Sequence, residues 1–237
     1  MRLQLFMARC GFASRRASEK VILEGRVSVN GKQVTELGTR VTPEDEVTVD
    51  GKKLTLEAEK RYVLLNKPKG YVCSMKDEKD RMTAASLLKD RYPERLYNVG
   101  RLDMFSTGLI IFTNDGDFAA LLSHPSAELE KEYIVETSLP FPRNLAEEFM
   151  KGIRIDNVFY RAKDAVELNS HRMKVVLVEG KNREIRRVFE SKEIGIKSLK
   201  RVRIGCVGIG SLKEGESREL SKEEVASLKK LCASYSY

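Results

Sequence analysis

The fold of this chain is written most plainly in Gly100-Arg101-Leu102-Asp103-Met104-Phe105-Ser106-Thr107-Gly108-Leu109, continuing through Ile110-Ile111-Phe112-Thr113-Asn114-Asp115-Gly116. Two glycines bracket one acidic side chain, an apolar run follows, and a polar turn closes the stretch. That order reads as a loop delivering a single aspartate to the head of a buried strand. A carboxylate on a loop anchored by a rigid strand is a common setting for chemistry, because the strand fixes what the loop presents. Taken alone, Asp103 also fits an Asx-turn or a cap, a frequent use of aspartate in turns.

Outward from that run, 237 residues allow one large or two modest domains. Hydrophobic residues make up 41% of the chain, enough for a core, and the net charge of +8 favours polyanionic partners, nucleic acid before an anionic membrane. Cys10, Cys73, Cys206 and Cys232 form no C-x-x-C pair. They read as reduced thiols, not zinc ligands, and no metal site is expected. With only His124 and His171 present, a histidine-based metal centre or hydrolase triad is poorly supplied. No apolar run reaches the roughly 18 residues of a membrane span, and the N-terminus lacks the apolar core of a leader. A cytoplasmic protein without a membrane partner is the expectation.

The pattern divides the chain at a polar linker, residues 57–61, into segments 1–60 and 61–237. In the first, Leu3, Phe6 and Met7 follow helical spacing and Gly11 suits the position past the helix end. Ser14 can cap a second helix that buries Val21, Ile22 and Leu23 and ends at Gly25. Asn30-Gly31 and Asp50-Gly51, each between apolar alternations, mark tight hairpins, since a type I′ turn needs positive φ twice. In the second segment Tyr62-Val63-Leu64-Leu65 reads as a strand broken by residues 66–70 and resumed at Tyr71-Val72-Cys73. Helices are expected near 117–123, 143–152, 183–194 and 221–231, the last opened by a capping box from Ser221 to Glu224.

Two short helices followed by hairpins, with Gly11-Phe12-Ala13-Ser14-Arg15-Arg16 and Gly25-Arg26-Val27-Ser28-Val29-Asn30-Gly31, resemble the S4 RNA-binding module. Residues 1–40 hold eight Lys/Arg against three acids, a net of +5. Arg15 and Arg16 lie in a helix first turn, where cations oppose the helix dipole, so phosphate contact is the reason offered for them and for Arg26.

The run around Asp103 resembles the Gly-Arg-Leu-Asp-x-x-Thr-x-Gly-Leu motif of pseudouridine synthases, in the branch that modifies ribosomal RNA. Asp103 takes the place of the essential aspartate. Ser106 stands where the family usually has threonine, keeping the hydroxyl and losing the methyl. The resemblance runs from about residue 2 to 231 and includes Leu65-Asn66-Lys67-Pro68-Lys69-Gly70 and His124-Pro125. It implies an α+β fold: an S4-like module followed by a catalytic domain on a mixed, mainly antiparallel sheet with flanking helices. It also implies a cofactor-free isomerisation of uridine.

That reaction breaks N1–C1′, turns the base and joins C5 to C1′, with water kept out. An aspartate serving it must stay ionised in a dry pocket, although burial alone raises a carboxyl pKa. A cationic partner is therefore expected. Lys181-Asn182-Arg183-Glu184-Ile185-Arg186-Arg187 resembles the family's late motif, whose arginine pairs with the aspartate, and Arg186 matches it. Residues 181–203 hold nine Lys/Arg against three acids, a net of +6. Lys181, Arg183 and Arg187 in this stretch suit a backbone-tracking RNA surface. Lys131-Glu132-Tyr133 resembles the Lys-x-Tyr motif, whose tyrosine stacks on the target base; Tyr133 is the match. Arg101 suits a hold on the flipped nucleotide or its phosphate.

Catalysis by Asp103, Tyr133 and Arg186 on a ribosomal RNA or a ribosomal assembly intermediate, by a monomer, is the leading expectation. A non-catalytic RNA-binding assembly factor is the alternative, for which the basic surfaces alone would suffice. A glycoside hydrolase would need a second marked carboxylate about 5–9.5 Å away, and none stands out. Tyr71-Val72-Cys73-Ser74 and Arg203-Ile204-Gly205 lean toward the small-subunit enzymes and Asn182-Arg183-Glu184-Ile185-Arg186-Arg187 toward the large-subunit ones, so the subunit stays open.

Overall fold

The structure is a computed structural model that describes residues 1–75 and 79–233. Helices α1 (Leu3–Arg9) and α2 (Arg15–Leu23) precede a four-stranded sheet of β1 (Val27–Val29), β2 (Lys32–Val34), β3 (Val47–Val49) and β4 (Lys52–Lys53), in the order β2-β1-β3-β4. Ser14 Oγ accepts from the Ala17 amide and starts α2. Asn30 and Gly31 have φ of 50° and 77°, and Asp50 and Gly51 have 49° and 76°, as the two hairpins require. Leu3, Phe6, Met7, Ile22, Val27 and Val47 close a separate small core. Leu23 is not in it: at 60% exposure it lies one helical step past Ile22, on the outer face.

The remainder is built on one mixed sheet. In chain order its strands are β5 (Tyr62–Lys67), β6 (Tyr97–Val99), β7 (Thr107–Thr113) and β8 (Lys131–Thr137), then, past the hairpin β9 (Ile153–Ile155) and β10 (Val158–Tyr160), β11 (Asp164–Asn169), β12 (Arg172–Leu177), β13 (Ile196–Ile204), β14 (Val207–Gly208) and β15 (Ser217–Glu219). The spatial order is β11-β12-β8-β13-β7-β5-β15, with β6 beside β7 and β14 beside β13. Every pairing is antiparallel except β13 with β7. Helices α3 (Gly116–Ser123), α4 (Leu145–Lys151), α5 (Glu184–Glu190) and α6 (Lys222–Ala233) flank the sheet. Ser221 and Glu224 exchange the two bonds of a capping box at the start of α6.

Two local readings are corrected. Strand β5 does not break after Leu65 but runs on through Lys67. Lys67 is fully buried because its Nζ donates to the Pro68 and Tyr71 carbonyls, at 2.9 and 3.0 Å. Pro68, which has no N–H to give a ladder, ends the strand. Tyr71–Cys73 forms no strand; Val72 makes one isolated bridge to Thr83. Instead this segment is a loop tied to the Asp103 loop by the Gly70 amide, which donates to Met104 O at 2.8 Å. The polar linker is also held. Asn114 Nδ2 donates to the Glu59 carbonyl and to Glu57 Oε2, and Asn114 Oδ1 accepts from the Arg61 amide.

Gly108 sits where β13 meets β7, at φ +103°. A Cβ there would lie 2.2–2.8 Å from backbone atoms of Arg201, so no side-chain rotation could relieve it. Gly108→Ala is expected to destabilise the protein by about 3 kcal/mol or more in denaturant unfolding. Gly31→Ala, with φ +77° but nothing within 4 Å, should cost only about 1 kcal/mol. Equal losses would remove the close approach as the cause. Among the described residues no helix is long and apolar enough to cross a membrane, and no group of three His/Cys/Asp/Glu could hold a metal ion.

Candidate active site

The loop 100–106 and strand β7 place Asp103 in the wall of a cavity of about 1030 Å³ that Tyr133, Arg186 and Arg201 also line. The Asp103 carboxylate is held on every side. Its Oδ1 accepts from the amides of Phe105 and Ser106, both at 2.9 Å. Its Oδ2 accepts from Ser106 Oγ at 2.7 Å and from Arg186 Nε at 3.0 Å. The Asx-turn reading of Asp103 and the ion-pair reading thus describe two oxygens of one side chain.

Ser106, 1% exposed, links the group further: Arg186 Nη2 donates to its Oγ at 3.1 Å. The hydroxyl at this position carries the bonding, so serine suffices where the resemblance led to an expectation of threonine. Side-chain exposure is 25% for Asp103 and 11% for Arg186. Burial pushes the Asp103 carboxyl upward, but the Arg186 and Ser106 bonds, the Arg186 charge and the Phe105 amide outweigh it and hold the group below the usual carboxylate range. The aspartate is therefore ionised at neutral pH.

Helix α5 presents Arg186. Ile185, Val188 and Phe189 are buried against the sheet, which leaves Arg186 and Arg187 at the edge of the apolar stripe. Tyr133 enters from β8, 9% exposed, and its Oη lies 3.4 Å from Arg201 Nη1. Lys131, two residues earlier on the same strand face, donates to the Leu129 and Val178 carbonyls. Burial first, and then the Arg201 charge, pull its ammonium down to about 8.

The basic residues singled out from the sequence divide. Arg101, Lys181 and Arg183 line the cavity; Lys181 pairs with Glu179, and Arg183 with Glu190 at 2.6 Å. Arg187 is partly buried and does not line it. Arg15 and Arg16 are exposed on the first turn of α2. Arg26 is held by Asp50, with Nε to Oδ1 at 2.9 Å, and by Glu24 at 3.2 Å. Its charge is largely spent within its own module. The sequence reading passed over Arg201, whose approach to Tyr133 is set by strand pairing across 68 residues.

The pattern of the family described as RNA pseudouridylate synthase matches residues 61–191, a span that contains Asp103, Tyr133 and Arg186. The chain belongs to the RNA pseudouridylate synthase family. The S4 domain pattern matches residues 1–47 ahead of it. A ribosomal large subunit pseudouridine synthase B from Bacillus subtilis is 38% identical over 236 residues, 97% of this chain and 96% of that protein. An RNA pseudouridine synthase from Borreliella burgdorferi is 38% identical over 232 residues, 96% of this chain and 93% of that protein. The crystal structure of a pseudouridylate synthase superposes with a TM-score of 0.70 at 29% identity, covering 96% of this chain and 99% of that one. This RNA pseudouridine synthase thus combines an S4 module with the synthase sheet, and its substrate is uridine within RNA.

Proposed function

We propose that the protein isomerises a specific uridine of large-subunit ribosomal RNA to pseudouridine, with Asp103 as the nucleophile or base, Arg186 as its counter-ion and Tyr133 as the stacking face for the base. The observation that carries this reading is the ionised Asp103, bonded to Arg186 and facing a cavity that Tyr133 also lines. The likeness to the Bacillus subtilis large-subunit enzyme over nearly the whole chain supports the choice of RNA.

In the reaction N1–C1′ breaks, the uracil turns within the cavity, C5 bonds to C1′, and the C5 proton is lost while N1 gains one. A carboxylate can assist by attacking carbon or by removing a ribose proton, and either route needs it charged and shielded from bulk water. The exposed Arg15 and Arg16, and the cavity-lining Arg101, Lys181 and Arg183, offer sequence-independent contact with the RNA backbone. A purely RNA-binding assembly role would leave the Asp103–Ser106–Arg186 cluster without a use.

Purified protein incubated with transcripts of both ribosomal RNAs, followed by carbodiimide treatment and primer extension, tests the proposal. One new stop in large-subunit RNA is expected. A folded preparation that modifies neither RNA would overturn the assignment, and a stop confined to small-subunit RNA would overturn the choice of subunit.

A further inference from the structure

Arg201 lies on β13, between the strands that carry the two halves of the site. It is paired in register with Gly108 of β7 on one side and with Tyr133 of β8 on the other. The residue is 3% exposed. Its Nε donates to the Leu109 carbonyl at 2.6 Å, just where the pairing of β13 with β7 stops after Gly108. Its Nη1 reaches Tyr133 Oη at 3.4 Å, and the guanidinium carbon stands 6.0 Å from the Tyr133 ring centroid. Its Nη2 is buried with no partner.

Among the described residues no carboxylate forms an ion pair with Arg201. The ammonium groups of Lys131 and Lys67 are close enough to feel its charge. A buried guanidinium with an orphaned donor and no counter-ion is unfavourable for folding, and a neutral donor would satisfy Leu109 equally well. The charge, and the Nη1 donor that faces Tyr133, therefore need another use.

We propose that Arg201 is a positioning residue that sets the direction of the Tyr133 hydroxyl and couples it to the strand carrying the Asp103 loop. This rests on the reading of Tyr133 as the face presented to the target base. A guanidinium can only donate hydrogen bonds. Tyr133 Oη must therefore accept from Arg201, and its own proton turns away from the guanidinium toward the cavity. The bond from Nε to Leu109 O fixes the same guanidinium to β7, so the phenol is tied to the strand that follows the Asp103 loop. Gly108, opposite Arg201, leaves the space in which β13 comes this close to β7.

A double-mutant cycle on the full-length protein decides the matter. Arg201→Lys and Arg201→Gln each keep a donor for the Leu109 carbonyl. Each is made in the native sequence and in Tyr133→Phe, and kcat, KM and melting temperature are measured on the RNA identified by primer extension. In the native background the expected result is an unchanged KM, a melting temperature close to that of the native protein, and kcat lower by about 100-fold, as for a misplaced reacting group. Lysine should retain more activity than glutamine. In Tyr133→Phe the same changes should lower kcat by less than about 3-fold, because residues acting through one group are not additive.

Equal losses in both backgrounds would overturn the proposal, as would full activity of both single Arg201 variants. Loss of folding in both variants would assign Arg201 to the structure alone. Full activity of Tyr133→Phe would instead remove the Tyr133 hydroxyl from the reaction and the proposal with it, leaving the isomerase assignment to the primer-extension result.

Discussion

Asp103→Asn is expected to leave the protein folded, to keep RNA affinity within a few-fold, and to lower turnover by about 10⁴-fold or more, the scale seen when the reacting group of a catalytic unit is removed. The substitution is nearly isosteric. The side-chain oxygen of asparagine can still accept from the Phe105 and Ser106 amides, so the loop that Asp103 organises has a reason to persist. The Ser106 hydroxyl can rotate, but Arg186 then faces an amide in place of its counter-charge. Because the RNA contacts proposed for Arg15, Arg16, Arg101, Lys181 and Arg183 do not run through the Asp103 carboxylate, affinity and turnover should separate. A gel-shift titration beside a single-turnover assay reads both. Turnover retained within ten-fold, at about 1.4 kcal/mol, would take Asp103 out of the chemistry.

Arg186→Met carries the second large effect, and its signature is a pH profile. In the native protein Asp103 is held below the usual carboxylate range because Arg186 and Ser106 outweigh burial. A carboxyl depressed in the folded state contributes stability above its unfolded pKa and loses it only as pH falls through the lower, folded value. Activity should accordingly show no acid limb from Asp103 until pH falls below that range. Methionine keeps the burial and removes both the bond and the charge of Arg186. The carboxyl then rises, and the acid limb of kcat/KM moves to higher pH. At neutral pH the loss should be on the order of 100-fold or more, since a desolvated charge has lost its partner. Measuring kcat/KM from pH 4 to 9 for both proteins checks the sign. An acid limb that stays in place would show that Arg186 does not set the ionisation of Asp103.

What could be read in advance follows from the distance over which each feature is determined. Asn30-Gly31 and Asp50-Gly51 dictate their turns through local φ, and Ser221 with Glu224 caps a helix within one turn; each is present as the local rule requires. The buried run after Asp103 announces β7 because β5 pairs along one edge, β13 and β6 pair at the two ends of the other, and Thr107–Thr113 carries no charge. Lys67 misled for a physical reason. A lysine after Asn66 and before Pro68 looks like a strand breaker, yet the carbonyls of Pro68 and Tyr71 form a socket that no local pattern reveals. Leu23 misled because apolarity was counted without the helical angle that turns it from Ile22. Arg201 was illegible for a deeper reason. Its environment is assembled from Gly108, Leu109 and Tyr133, whose meeting is set by long-range register. The meeting of Asp103 with Arg186 spans 83 residues and is equally non-local; only the family resemblance, not the spacing, put the two side by side.

Release of tritium from RNA carrying uridine labelled at C5 is the most direct measurement of the central claim, because joining C5 to C1′ expels that hydrogen. With large-subunit ribosomal RNA the native protein should release tritium equivalent to one uridine per molecule, and Asp103→Asn should release none while still binding. No release by the native protein from RNA that it binds, or equal release by Asp103→Asn, would contradict the account.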